Sequence, residues 1–425
     1  MSFNSAFLIP FSDFRIPTSQ ASITWPPSLY VDNFDMYSNS AQPGGLYIHI
    51  PFCNSKCLYC DFYSITDLAK TSSFLAALER EMELAGQSAP TFDTLYIGGG
   101  TPSVLDGTAI ERIVADAFKH FSFRSDAEVT IEVNPGTVAL EDLRQYRQSG
   151  INRLNIGIQS FQEENLKFLG RSHSRKEALS SIAWARQAGF ENIGLDLIYG
   201  LPEQDKNRWL PDLDQAIQNS PEHFSCYLLT REVGTPLDRE VLADRIRLPP
   251  EDHLCSLFET TIDYLTDHDY LHYEVSNFAR KADKGRGYWM SRHNQKYWSF
   301  APYIGLGPSA HSYLVPERHW NHRSLEKYLQ DIRQGKLPLA EKEQLTREQM
   351  MMEAIYLGFR TSQGIDFGDF QRRFEIDFLK SFREAIADFK KDGLLKFSET
   401  HCGLTPKGMV LLDSITAEFT SQDLP

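Results

Sequence analysis

Leu46-Tyr47-Ile48-His49-Ile50-Pro51-Phe52-Cys53-Asn54-Ser55-Lys56-Cys57-Leu58-Tyr59-Cys60 sets an apolar, β-prone run directly before three cysteines at CxxxCxxC spacing. Half of the chain's six cysteines fall within its last eight residues. Three thiolates hold three irons of a [4Fe–4S] cluster, which is normally closed by four protein ligands. The fourth iron is then open to a small molecule. The same spacing also suits a zinc site lacking one ligand, or three buried thiols.

Outward from this stretch, short β-prone runs alternate with amphipathic patterns. The runs are 46–50, 94–97, 129–133, 153–158, 193–198, 224–229 and 271–275. Between the first two, Phe74, Leu78 and Met82 recur at i, i+4, i+8 and predict one helix face. A second helical pattern, 176–188, stops at Gly189, a C-cap signal. Alternating strands and helices imply a parallel sheet. About six units predict an α/β fold, a full or partial (β/α) barrel, with a doubly wound open sheet as the rival. In both, chemistry gathers at the carboxyl ends of the strands.

The conspicuous polar and glycine-rich features obey that rule. Cys53–Cys60 follows the first run, Gly98-Gly99-Gly100-Thr101-Pro102 the second, and Asn134-Pro135, after Glu132, the third. Gln159-Ser160 follows the fourth; Tyr199-Gly200-Leu201-Pro202, after Asp196, follows the fifth. The glycine run fits neither GxGxxG nor the Walker pattern, so nucleotide-phosphate binding is not favoured. Carboxylates at strand ends, as at Glu132 and Asp196, suit a ribose diol. Arg171 suits a carboxylate or a neighbouring acid.

The chain has 425 residues, 41% apolar, with net charge −14. That balance argues against non-specific nucleic-acid binding. A thiolate cluster calls for a reducing compartment, so a cytoplasmic protein is expected. The sequence carries neither a membrane-length apolar run nor a secretory signal pattern. Residues 1–44, rich in Ser, Pro, Asn and Phe, read as a poorly ordered extension. The barrel is expected over 45–280, an aromatic- and His-rich segment with a connector over 281–345, and a helical, winged-helix-like domain over 346–425. Its third helical stretch mixes Lys380, Arg383, Lys390 and Lys391 with Glu384, Asp388 and Asp392, which favours a structural or partner-facing role over DNA binding.

The strings quoted so far resemble the radical S-adenosylmethionine (SAM) superfamily. Ile131–Pro135, Ile156–Phe161, Leu169-Gly170-Arg171 and Leu195–Pro202 resemble its oxygen-independent coproporphyrinogen III oxidase-like family, from about Leu46 to about Leu412. The resemblance implies a partial (β/α)6-type barrel. It also implies Cys53, Cys57 and Cys60 as ligands of a [4Fe–4S] cluster, whose open iron chelates SAM and whose electron generates a 5′-deoxyadenosyl radical. By motif position, Tyr47, Tyr59, Gly99, Gly100, Thr101, Glu132, Gln159, Arg171 and Asp196 would line the cofactor sites, with Thr230 a weaker carry-over.

One position departs from the oxidases, which carry a fourth cysteine two residues after the third. Here the string is Cys60-Asp61-Phe62. That ending, with His293-Asn294-Gln295-Lys296-Tyr297-Trp298, resembles the sister branch of heme chaperones. The branch implies heme as ligand, His293 as its contact, and hemoproteins as clients. The acidic chain is expected to dock onto protein partners and, through them, a membrane surface. The alternative is an oxidase that decarboxylates coproporphyrinogen III.

Overall fold

Six of the seven β-prone runs form parallel strands that lie side by side in chain order, while the seventh, 271–275, yields a short antiparallel strand over 270–272. The computed structural model describes residues 42–86, 89–282 and 287–421, so nearly all of the expected N-terminal extension lies outside the described residues. From the N-terminus run β1 (Gly44–Ile50), α1 (Thr71–Ala85), β2 (Phe92–Gly99), α2 (Gly107–His120), β3 (Phe123–Val133), α3 (Leu140–Gln148) and β4 (Arg153–Gln159). Then follow α4 (Glu163–Leu169), α5 (Arg175–Gln187), β5 (Ile193–Tyr199), α6 (Lys206–Gln218), β6 (His223–Leu228), α7 (Pro236–Leu242) and α8 (Glu251–Asp267). The pairs β1–β2 through β5–β6 are all parallel. This unreversed order has no topological switch point, which rules out the doubly wound rival.

Local chemistry explains the boundaries. α1 buries Phe74, Leu78 and Met82 at 0%, 0% and 1% exposure, each side chain worth about 1.5–3 kcal/mol of burial. α5 starts in a capping box between Ser174 and Glu177. It ends where Gly189 takes φ +89°. Strands β1 and β4 are buried on both faces, as a sheet covered by helices requires.

The sheet does not stop at residue 280. Beyond β6 come β7 (Tyr270–His272), β8 (Asn277–Arg280), α9 (Arg292–Trp298), β9 (Tyr303–Leu306), β10 (His311–Leu314), β11 (Glu317–Asn321), α10 (Leu325–Arg333) and β12 (Leu339–Gln344). The order is β12-β11-β10-β9-β1-β2-β3-β4-β5-β6-β8-β7, twelve strands in one open sheet. β9 pairs parallel with β1 on the side away from β2. The segment expected as a connector therefore contributes four strands to the barrel sheet. Those strands are short and the outermost is charged and mostly exposed, which is how sheet edges are kept from pairing further.

The C-terminal unit comprises α11 (Arg347–Arg360), β13 (Ile365–Asp366), α12 (Phe367–Phe374), α13 (Phe378–Ser381), α14 (Arg383–Lys391), β14 (Leu395–Phe397), β15 (His401–Leu404), α15 (Pro406–Met409) and α16 (Leu412–Ser421). The expected hairpin is β14–β15, and β13 adds a third strand to it. A stack of Phe359, Phe370, Phe378, Phe382 and Phe419 fills its core.

Candidate functional site

The glycine loop and the cysteine loop are stitched together at the carboxyl end of the sheet. The Gly100 N–H donates to Ile50 O at 2.8 Å and the Thr101 N–H to Phe52 O at 2.7 Å. A side chain on Gly100 would meet the Phe52 carbonyl oxygen at 2.6 Å and Cys53 Sγ at 3.1 Å. Glycine is there so that the two backbones can touch.

Around them opens a cleft. Cys53, Cys57, Tyr59, Cys60, Gly99, Gly100, Thr101, Glu132, Gln159, Arg171 and Asp196 all line it. A hydrogen-bond circuit ties the cysteine loop to three strand ends. Cys53 Sγ lies 3.4 Å from Thr101 Oγ1, which accepts from Asn134 Nδ2 at 3.0 Å. Asn134 Oδ1 accepts from Arg171 at 2.6 Å, and Arg171 reaches Cys57 Sγ at 3.7 Å. Asn134 was visible only as a polar residue after the third strand. Its role as the hub of this circuit needed the tertiary structure.

The carboxylates face the cleft in contrasting ways. Glu132 accepts from the Tyr96 hydroxyl at 2.8 Å and the Gly99 N–H at 3.2 Å. Burial pushes its pKa up to about 7, and the charge of Asp196 adds to the rise. Asp196 accepts from Asn155 at 2.6 Å through Oδ2, while its buried Oδ1 has no partner. Burial raises this carboxyl as well. Gln159 reaches the cleft by a backbone irregularity. The β4–β5 register shifts between Gly157 and Gln159, and Gln159 takes φ +67°, a left-handed conformation unusual for a side-chain-bearing residue. Its buried Oε1 is also without a partner. Such orphaned acceptors beside a glycine cradle suit a ligand bearing hydroxyl and amine donors.

Among the described residues, no three His, Cys, Asp or Glu side chains gather about one ion. The three thiols are strung along one loop. A mononuclear zinc ion needs its ligands at one point, whereas a cluster is bound at the corners of a cube. The donor set, three cysteine sulfurs lining one cleft, fits a cluster with one iron left open. Burial raises the Cys60 thiol to about 12.

Three sequence expectations are placed elsewhere. Tyr47 sits one layer below the cleft, its hydroxyl on His49 Nδ1 at 3.0 Å and its ring against Tyr96. Thr230 donates to Glu232 at 2.9 Å and does not line the cleft. His293 lies farthest from the cleft. It is 1% exposed at the opposite end of the barrel, in a gap left by Gly45. Nδ1 pairs with Thr94 Oγ1 at 2.8 Å and Nε2 with the Tyr297 hydroxyl at 2.9 Å. Its ring stacks on Tyr96 at 5.1 Å, and burial lowers its pKa to about 3. Both ring nitrogens thus face hydroxyl groups at the barrel floor.

Residues 47–216 match the Radical SAM superfamily and residues 345–411 the HemN C-terminal domain. The heme chaperone HemW of Bacillus subtilis is 32% identical over 381 residues, covering 88% of this chain and 99% of that protein. The chain belongs to the HemW family of radical SAM proteins. Its HemW relative in Mycobacterium tuberculosis is 34% identical over 380 residues, covering 88% of this chain and 94% of the relative. The structure of coproporphyrinogen III oxidase (HemN) from Escherichia coli, a radical SAM enzyme, superposes with a TM-score of 0.77 at 26% identity, covering 91% of this chain and 92% of the enzyme. Superfamily membership carries with it the use of an iron–sulfur cluster and SAM. Among the described residues of this HemW-family chain, no helix is long and apolar enough to cross a membrane.

Proposed function

We propose that this protein is a heme chaperone that binds heme and passes it to hemoproteins, with a [4Fe–4S] cluster and SAM held in the cleft. The observation that carries the reading is Phe62. It stands where the oxidases have their fourth cysteine, and it lines the cleft with 42% of its surface exposed. Its neighbour Asp61 is pinned by Arg323 at 2.9 Å, so the Cys-Asp-Phe turn is fixed in place. An apolar ring there brings neither sulfur nor a titratable proton to the reaction centre.

Cys53, Cys57 and Cys60 would hold the cluster. When bound, it supplies one electron to the sulfonium of SAM. The chain's own contribution is binding and orientation. Gly99, Gly100 and Thr101 line the wall against which the cofactor would lie. Glu132 and Asp196 accept from ribose hydroxyls or the amino group, and the free Gln159 Oε1 takes a further donor. Arg171 keeps its guanidinium beside the thiolate of Cys57. Tyr59 hydrogen-bonds Arg171.

The charged form of Glu132 is the better acceptor, so binding should follow its ionisation. A carboxyl near 7 is mostly protonated at pH 6 and mostly charged at pH 8. SAM affinity is expected to rise several-fold across that interval, as a one-proton linkage allows. Calorimetry on Glu132→Gln should show weaker binding without that portion of the rise. An identical pH profile in both proteins would remove Glu132 from the site.

The reading as a whole is tested with anaerobically reconstituted protein. Saturable heme binding, followed by transfer of the Soret signal to an apo-hemoprotein, is the expected result. With coproporphyrinogen III, SAM and reductant, no multiple-turnover release of a vinyl-bearing product is expected. Such turnover would make the protein an oxidase.

A further inference from the structure

Strand alternation fixes what fills the barrel below the cleft. Glu132 on β3 and Asn155 on β4 are cross-strand partners, and both line the cleft. The residues two positions back, Thr130 and Arg153, are partners in turn and point the same way, deeper in the barrel. Two residues of strand put Arg153 about 6–7 Å below Asn155. Arg153 is 1% exposed and Thr130 0%. Among the described residues, neither Arg153 Nε nor the Thr130 hydroxyl has a hydrogen-bond partner, and no carboxylate forms an ion pair with Arg153.

Gly194, opposite Asn155 on β5, shows where the guanidinium lies. A side chain on Gly194 would meet Asn155 Oδ1 at 2.6 Å, Arg153 Nη2 at 3.1 Å and His223 Nδ1 at 3.3 Å. Asn155 donates through Nδ2 to Asp196 Oδ2 at 2.6 Å. The guanidinium thus stands one amide away from an acid of the cleft, without bonding to it. His223 does not share its charge. That imidazole meets the Tyr273 hydroxyl at 2.7 Å, and burial, helped by Arg153, holds it neutral.

A charge stripped of water without a partner strongly destabilises a fold. The opposite charges in reach are Glu132 and Asp196. Burial raises both carboxyls, and Arg153 opposes that rise in each. The other groups facing them do little. Tyr47 on β1, Tyr96 on β2, Tyr227 on β6 and Tyr297 on α9 are kept neutral by burial, as is Cys226 on β6. Arg171 also faces Asp196, but Cys57, Asn134 and Tyr59 engage it.

We propose that Arg153 is a positioning residue for the cofactor site, the buried counter-ion that lets Glu132 and Asp196 carry charge together and accept from the hydroxyl and amino donors of SAM. The inference rests on the SAM-binding reading of the cleft given above. Two acids buried near each other otherwise retain a proton, and a protonated carboxyl is a poorer acceptor. Distance is part of the device. A direct salt bridge would occupy the carboxylate oxygens, whereas Arg153 acts through space and leaves Asp196 Oδ1 without a partner, open to the ligand.

The test reads the acids themselves, in the full reconstituted chain without SAM. An infrared pH titration follows the protonated-carboxyl band of Glu132, assigned by its loss in Glu132→Gln. In Arg153→Met the midpoint is expected about one pH unit above wild type, the size of a unit charge's effect at an effective dielectric of about 20. Arg153→Lys keeps the charge and should shift it less. By calorimetry, SAM affinity at pH 7 is expected to fall about fivefold in Arg153→Met and to recover at higher pH, as one-proton linkage requires. A merely structural arginine would lower affinity at every pH. The same comparison in the Asp196→Asn background, where one acid remains, decides the matter if the acid pair cannot fold without its cation. An unchanged Glu132 midpoint on removing Arg153 would overturn the assignment. Failure of the wild type to bind SAM saturably would instead overturn the reading of the cleft, while the infrared midpoints still decide whether Arg153 is the counter-ion of the two acids.

Discussion

Cys57→Ala is expected to abolish the brown absorbance of the anaerobically reconstituted protein and take its iron content to background. Three thiolates are already one fewer than an iron–sulfur cluster usually receives. A variant with two has no way to close the cube against solvent. Cys57 is also the sulfur that Arg171 reaches at 3.7 Å, so its loss removes one partner of a buried guanidinium that Asn134, the Gly157 carbonyl and Tyr59 also hold. The effect should be specific to position. Cys255, on α8 and absent from the cleft wall, provides the control, and Cys255→Ala should keep its full iron. Metal analysis separates the readings left open by the sequence. Four irons and four sulfides in the wild type, lost in Cys57→Ala, support the cluster. One zinc in the wild type, or full iron in the variant, would sink it.

Much of this cleft could be read without coordinates because strand ends concentrate chemistry. Once β1 to β5 were recognised as parallel, every motif at a carboxyl end had to share a face, and the cysteines, Thr101, Glu132 and Asp196 do. What the sequence hid were departures from regularity. Gln159 looks like the next inward residue of β4, yet it reaches the cleft through a bulge and a left-handed backbone. Strands β9 to β12 lack a long alternating pattern. They are four to six residues long and join the barrel through β9, which pairs with the sequence-distant β1, so local composition reads as a connector. His293 shows a different limit. Its motif is legible as a string, but the direction of a side chain on α9 is set by what the helix packs against. Here that is the barrel floor at Gly45, Thr94 and Tyr96.

The close approach of two backbones makes Gly100 the most demanding position in the glycine loop. In Gly100→Ala the added methyl would lie 2.6 Å from Phe52 O, 3.0 Å from Ile50 O and 3.1 Å from Cys53 Sγ. Two of these atoms are backbone and cannot swing aside. The loops must part, which strains the two hydrogen bonds that join them, each worth about 0.5–1.5 kcal/mol. Overpacking adds about 1–3 kcal/mol. A loss of about 2–4 kcal/mol in unfolding free energy is therefore expected, together with poor cluster assembly, because Cys53 moves with its loop. Gly170→Ala supplies the contrast. Gly170 needs its φ of +72°, but its nearest neighbours, Leu58 N and Cys57 Cα, stand at 3.5 and 3.8 Å. The substitution there costs about 1–2 kcal/mol of backbone strain and leaves the cysteine loop unpushed. Denaturant melts with iron analysis should therefore show both variants destabilised but only Gly100→Ala deficient in iron. Equal iron in the two would mean that contact between the loops does not set the position of the cluster ligands.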